Sequence, residues 1–250
     1  MHGTAFPVLL SRRRAGALVL GAALLPAGGR AQRDAGRYQV VPRSPDGIGK
    51  AYMGREISGV MGWQGAAWLE REAREREERA DLLLRELRLA PGQDVADVGA
   101  GTGYYARRMA PAVAPRGTVF AVDVQPQMLR MVEQSAARAG LSNIRTVQAT
   151  AQDARLEPAS IDLALLVDVY HELEFPYEVM DGVVRALRPG GRLVLVEYRA
   201  EDPKVPIKPL HKMSEAQVRR EMAAHALDHE RTADVLPWQH VVVFRRRASG

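Results

Sequence analysis

The stretch Asp97-Val98-Gly99-Ala100-Gly101-Thr102-Gly103 constrains this chain more than any other. It follows the turn Pro91-Gly92-Gln93 and the start of an apolar run, Asp94-Val95-Ala96, which predicts a strand over 94–98. Behind it, Tyr104-Tyr105-Ala106-Arg107-Arg108-Met109 reads as the start of a helix. A glycine turn between strand and helix lets a ligand lie against bare backbone, near the positive end of the helix dipole. In the fingerprint G-x-G-x-x-G the third glycine would fall at 104, where this chain has Tyr104. Here the third glycine is Gly103, and Asp97 stands two residues before the first.

From Pro91 onward strand and helix patterns alternate. Strands are predicted over 94–98, 118–123, 143–148, 161–167, 191–198, 230–236 and 239–246. Helices are predicted over 103–113, 126–139, 176–188 and 214–226, the last opened by the capping box Ser214-Glu215-Ala216-Gln217. This alternation implies an α/β fold with a doubly wound, mostly parallel sheet. Residues 32–50, with Pro42, Pro45, Gly47 and Gly49, read as a linker. Residues 68–88 read as one helix. Its acid-first pairs Glu70–Arg74, Glu72–Arg76 and Glu75–Arg79 suggest a solvated face.

The D-x-G-x-G-x-G turn resembles motif I of class I S-adenosylmethionine-dependent methyltransferases. Asp123 closes the second strand, Gly117–Asp123, 20 residues after Gly103. A carboxylate there can accept two hydrogen bonds from a ribose diol, although strand ends carry acids for surface reasons too. The resemblance implies a Rossmann-like, seven-stranded, mostly parallel sheet with a C-terminal antiparallel hairpin around Pro237-Trp238. It also implies S-adenosyl-L-methionine as cofactor. Asp97, Gly99, Ala100, Gly101 and Gly103 would surround its methionine part, Asp123 its ribose, and Gln152 and Asp153 its adenine. Where many members read G-D-A, this chain has Ala149-Thr150-Ala151.

The fourth strand, Ile161–Val167, runs into Asp168-Val169-Tyr170-His171-Glu172-Leu173. Open α/β sheets bind ligands beyond the carboxyl ends of their strands, which places Asp168, Tyr170 and His171 at the reacting end. The position resembles motif IV. It lacks the N/D-P-P-Y form of amino-group methyltransferases and looks more like the strand-end histidine of small-molecule enzymes, including the quinone-biosynthesis type. A small-molecule acceptor methylated at oxygen or carbon is therefore expected. His171 is the candidate base for a phenol or enol, against the simpler role of orienting the turn. Position 175 is Phe175, so there is no H-E-x-x-H zinc motif, and no metal is expected. His225 and His229 read as a chance surface pair. The loop 201–213 reads either as a rigid lid presenting Lys208, His211 and Lys212 to an acidic substrate, or as a solvated linker.

Met53-Gly54-Arg55-Glu56-Ile57, Val167-Asp168-Val169-Tyr170-His171 and Lys208-Pro209-Leu210-His211-Lys212 together resemble a bacterial subset of methyltransferase-domain proteins, over roughly 50–246. The domain plan is a leader at 1–31, a linker and helical cap over 32–90, and the methyltransferase domain over 91–250. Residues 51–70 are expected to fold over the cofactor.

The leader explains the charge. The chain carries 35 basic and 30 acidic residues. Residues 1–31 hold Arg12, Arg13, Arg14, Arg30 and no acid, so the remainder is nearly neutral. That gives no electrostatic case for nucleic acid. The arginines precede Ala15–Leu25, an apolar stretch too short to span a bilayer, and resemble a twin-arginine export signal. A periplasmic or exported protein is expected, the alternative being a cytoplasmic one starting near Tyr38. The absence of cysteine excludes disulfides, thiolate metal sites and a cysteine nucleophile. Two rival functions remain at this stage. One is an exported, non-catalytic binder of the cofactor or a related nucleoside. The other is a nicotinamide oxidoreductase, which Tyr104 disfavours.

Overall fold

The computed structural model describes residues 36–248. The expected leader lies outside the described residues. Strands β4 (Val95–Val98), β5 (Val119–Asp123), β6 (Ile144–Gln148), β7 (Ile161–Val167), β8 (Leu187–Tyr198), β9 (Leu227–Ala233) and β10 (Gln239–Arg246) form one sheet. Its order is β6-β5-β4-β7-β8-β10-β9. The β4–β8 pairings are parallel, and β10 inserts antiparallel between β8 and β9. The expected seven-stranded sheet and its antiparallel end are both present. The order reverses at β4, so the carboxyl ends of β4, β5 and β7 open onto the crevice where such sheets bind ligands.

Strand β4 apart from Asp97, and β7 from Leu163 to Val167, are apolar on consecutive residues because both faces are covered. Alternate side chains feed two cores. Val95, Leu163 and Leu165 pack with α3 (Ala80–Leu87) and α4 (Tyr104–Val113). Ala96, Val98, Ala164 and Leu166 pack with α6 (Pro176–Ala186) and α7 (Glu215–Met222). Helix α5 (Pro126–Arg138) joins the first core through Val132. Ser214 caps α7 by accepting from the Gln217 N–H at 3.1 Å. The reciprocal half of the capping box does not form, because the Gln217 amide donates to Met53 O and Glu221 Oε1. Strand β8 starts earlier than expected. Leu187 already pairs with Ile161, and Arg188-Pro189-Gly190-Gly191 bulges out before pairing resumes at Arg192.

The N-terminal region departs most from the sequence reading. Within the expected linker, β1 (Tyr38–Val40) and β2 (Gly47–Tyr52) join β3 (Arg55–Ser58) in a three-stranded antiparallel sheet. Met53 and Gly54, both at positive φ, make the two-residue turn between β2 and β3. Arg55 then clamps this sheet to the main domain. Its Nε and Nη2 bond Glu221 at 2.8 and 3.0 Å, and its Nη1 donates to His171 O at 3.1 Å.

The single helix expected over 68–88 is three short ones: α1 (Ala66–Leu69), α2 (Arg74–Glu78) and α3. Arg79 breaks the line at φ +51°. The acids and arginines choose partners outside the expected i,i+4 pairs. Glu70 binds Arg107 and Thr102, Arg74 binds Glu78, and Arg79 binds Asp81. Arg74 and Glu78 are buried, so this is no solvated face. Among the described residues no helix is long and apolar enough to cross a membrane.

Candidate active site

The glycine turn is held by the end of β5. The N–H groups of Gly99 and Ala100 both donate to Val122 O, and that of Gly101 donates to Asp123 Oδ2 at 2.9 Å. Gly99 and Gly101 sit at φ +75° and +53°, where a side chain is strained. A Cβ at Gly99 would lie 2.3 Å from Val169, and one at Gly101 2.6 Å from Leu69. The turn thus has bare backbone on the side facing a cavity of about 970 Å³. That volume is at the upper end for ligand pockets and leaves room for a second molecule beside a cofactor.

Asp97 lies behind the turn and is 3% exposed. It accepts from the Ala106 N–H, while its Oδ2 is buried without a partner. Burial pushes its carboxyl up to about 7, against the opposing pull of the Ala106 N–H and Arg74. Asp97 itself is not part of the cavity wall, so its orphaned oxygen lies behind the bare backbone of Gly99 and Gly101. A buried negative charge there suits a cationic ligand group only across that backbone. The turn and Asp123 together fit the aminoacid and ribose ends of S-adenosylmethionine. Asp123 lines the cavity and also accepts from the Gln125 N–H at 2.8 Å. With backbone N–H groups already on both oxygens, a carboxylate's four lone-pair sites still leave acceptor capacity for a diol. Burial raises its carboxyl, and the N–H groups of Gln125, Gly101 and Val124 oppose that.

Several expected contacts fall elsewhere. Ala100 and Gly103 lie outside the cavity wall; Gly103 begins α4 and backs onto Val132. Gln152 and Asp153 are exposed and outside the wall, because the Thr150–Asp153 turn folds back on itself through Thr150 N to Asp153 O. The wall there includes Ala149, Thr150, Ala151 and Ala154, and Val124 and Met128 also line the cavity. This surface is apolar and fits a flat base. Tyr170 is also not at the reacting end. It is fully buried, and its hydroxyl donates to Glu221 Oε2 at 2.7 Å.

Asp168 and His171 do reach the cavity. Asp168 ends β7 at φ +51°, accepts from Gln239 at 3.1 Å and leaves Oδ1 unpartnered. Burial, followed by the charges of Glu78 and Glu197, pushes its carboxyl well up. His171 is the centre of a polar cluster. Its Nδ1 is 2.6 Å from Glu197 Oε2, and its Nε2 is 3.2 Å from His211 Nδ1. Glu172 Oε1 lies 3.4 Å from His211 Nδ1 and 3.9 Å from His171 Nε2.

The N-terminal segment adds Met61, Trp68, Leu69, Arg74 and Glu78 to the wall. Arg74 binds Glu78 at 2.8 Å and Leu69 O at 2.8 Å, and Tyr198 donates to Glu78 at 3.1 Å. The loop after β8 contributes Pro206, Ile207, Lys208 and His211. Lys212 turns away to Asp202 O and Val205 O, and Lys208 pairs with Asp46. Tyr104 and Tyr105 pack edge to face in the core. His225 is buried against Tyr177, contrary to the surface reading, and lies apart from the exposed His229.

Glu197, Arg74 and Glu78 were missed from sequence. Glu197 carried a signal, being the one acid in β8 and directly following the apolar run Leu193–Val196. Arg74 and Glu78 carried none among so many charged neighbours.

Comparison with known proteins agrees with this geometry. The chain is 28% identical over 109 residues to the ubiquinone/menaquinone biosynthesis C-methyltransferase UbiE of Ectopseudomonas mendocina, covering 43% of each protein. It is 34% identical over 123 residues to a candidate O-methyltransferase of Mycobacterium avium, covering 48% of this chain and 53% of the relative. The chain thus spans about half the length of the curated relatives it matches. A SAM-dependent methyltransferase from Aquifex aeolicus superposes with a TM-score of 0.71 at 22% identity, over 75% of this chain and all of that one. The [4+2]-cyclase SpnF shares the fold with a TM-score of 0.59 at 16% identity, over 68% of this chain and 81% of that one. The fold is that of the SAM-dependent methyltransferases, and residues 96–195 match the family model described as a methyltransferase domain.

Proposed function

We propose that this chain transfers a methyl group from S-adenosylmethionine to a small-molecule acceptor, at oxygen or carbon. The observation that carries the reading is one cavity with two chemically distinct ends. One end has the bare glycine turn and Asp123, with the orphaned carboxylate of Asp97 behind it. The other has His171, His211 and Glu172. The cofactor supplies an electrophilic methyl carbon on its sulfonium. The chain's own residues hold and orient: Gly99 and Gly101 admit the aminoacid end, Asp123 takes the ribose diol, and Ala149–Ala151 with Val124 and Met128 flank the base. Trp68, Leu69 and the loop at Pro206–His211 close the cavity and exclude water. The acceptor lies against His171, His211 and Glu172, which position its nucleophilic atom. Proximity and alignment account for most of the rate.

The match to a C-methyltransferase and an O-methyltransferase supports carbon or oxygen as the acceptor atom. The arginine-led apolar stretch at 12–25 supports export by the twin-arginine route, which carries folded proteins. Residues 51–70 serve as the cap over the cofactor. The test is calorimetric titration with S-adenosylmethionine, followed by release of S-adenosylhomocysteine with cell-extract acceptors. Binding without turnover would favour the non-catalytic binder, a role open to this fold because fold does not fix reaction. No binding by the folded chain would sink both.

A further inference from the structure

His171, Glu172 and His211 come from two separate segments, the turn after β7 and the short 3₁₀ turn Pro209–His211. Their donor atoms Nε2, Oε1 and Nδ1 nevertheless converge, with separations of 3.2, 3.4 and 3.9 Å. A tetrahedral site with bonds of about 2.0–2.1 Å has ligand–ligand edges of about 3.3–3.4 Å. We propose that these three atoms hold one divalent transition-metal ion of the zinc type, with its fourth position open to the cavity.

Two of the three ligands, His171 and Glu172, are fixed from behind. Glu197 Oε2, sealed from solvent, sits 2.6 Å from His171 Nδ1. It thereby keeps the proton on Nδ1 and turns the Nε2 lone pair toward His211. This is the carboxylate–histidine–metal arrangement seen behind zinc-bound imidazoles. Glu197 is itself tied by the Tyr170 N–H at 3.0 Å. Glu172 accepts the Met61 N–H on Oε2 at 3.1 Å, which leaves Oε1 for the ion. The His171 carbonyl is pinned by Arg55 and Ser58 at 3.1 and 3.3 Å. All three ligand residues line the cavity, and the partly exposed His211 gives the ion a way in. Two nitrogens, one carboxylate and an open position make a catalytic rather than a structural donor set.

Resting on the methyl-transfer reading, the ion selects an acceptor with an ionisable hydroxyl, such as a phenol or enol. The acceptor oxygen binds the ion and releases its proton to solvent. A carbon–oxygen bond then forms as the sulfonium carbon–sulfur bond breaks, giving methylated acceptor and S-adenosylhomocysteine.

The test uses the tag-free full chain stripped with chelator and titrated with Zn²⁺ and Co²⁺. One ion per chain is expected, with the intense visible absorption of four-coordinate cobalt. His211→Ala and Glu172→Gln should abolish that absorption while far-ultraviolet circular dichroism is unchanged. Glu197→Gln should weaken metal affinity about 10–100-fold. No stoichiometric ion on the folded chain, or binding that survives both ligand substitutions, would overturn the proposal. Titration of the stripped protein with S-adenosylmethionine separates the two readings, because the cofactor end is distinct from these ligands. A chain that binds the cofactor but takes up no stoichiometric metal would sink only the metal site, and one that takes up metal but never binds the cofactor only the methyl-transfer reading.

Discussion

Nδ1 of His171 stands 2.6 Å from Oε2 of Glu197, and both side chains are sealed from solvent. An acid inside an apolar parallel strand is costly unless it is fully used. Glu197 uses one oxygen on His171 and the other on the Tyr170 N–H. The strand β8 therefore sets the orientation of a ring that belongs to the turn after β7. This coupling makes Glu197 a positioning residue for whatever His171 does.

Glu197→Gln should therefore lower kcat about 10–100-fold while leaving the dissociation constant for S-adenosylmethionine unchanged. The amide can donate to Nδ1 and so allow the wrong tautomer. A parallel loss of cofactor affinity, read by calorimetry, would show that the variant had disturbed the whole cavity.

The glycine turn allows a paired experiment. Gly101→Val puts a β-branched side chain at φ +53°, against the end of Leu69 and into the bare backbone face. Cofactor binding should be lost, with a stability cost of about 1–2 kcal/mol from backbone strain. Gly103→Ala is strained at φ +81° but faces Val132, away from the cavity. It should show a similar fall in urea midpoint with cofactor affinity within roughly twofold of the parent. Equal loss of binding in both would contradict the placement of the cofactor.

The mostly parallel sheet, its antiparallel end and the glycine turn were legible because strand, turn and helix each leave a local period in the sequence. Gly101, Asp123 and His171 reach the cavity because each lies at or just past the end of a strand. Contacts set by folding back over distance were not. Tyr170 is next to His171 in sequence, yet its hydroxyl is committed to Glu221, 51 residues on. Gln152 and Asp153 look like base contacts until the Thr150–Asp153 turn points them outward. The β1–β3 sheet hid under prolines and glycines that read as a linker, and the strength of its Arg55 clamp lies in partners more than a hundred residues away.

Asp97 gives a pH dependence. Its carboxyl, pushed up to about 7 by burial, is largely neutral in the folded chain below that value. A cationic aminoacid group prefers it ionised. Affinity for S-adenosylmethionine should therefore rise roughly tenfold between about pH 6 and pH 8 and then level off. Stability runs the other way. An unfolded aspartate ionises near 3.9, so between about pH 4 and pH 7 the folded state holds a proton that the unfolded state has lost. The ligand-free protein should lose stability as pH rises through that window, on the order of a few kcal/mol. Asp97→Asn should remove both trends, giving a flat affinity profile and a higher melting temperature above about pH 7. A parent affinity independent of pH would argue against Asp97 as the group that senses the cofactor's charge.

Arg74 and Glu78 carry the last prediction. Their 2.8 Å pair is buried, with Asp168, Tyr198 and Tyr105 around it. Arg74 also reaches Leu69 O, and so ties the segment proposed as the cap to this buried pair. Removing one partner leaves a buried charge uncompensated. Arg74→Met should thus cost about 3–5 kcal/mol in urea unfolding. Replacing both, Arg74→Met with Glu78→Leu, should recover much of that loss, because two apolar side chains avoid the desolvation penalty. Cofactor affinity should stay low in the double variant, since the tie to Leu69 is still gone and the cap is no longer held over Gly101. If affinity returned together with stability, the role of Arg74 would be limited to balancing Glu78.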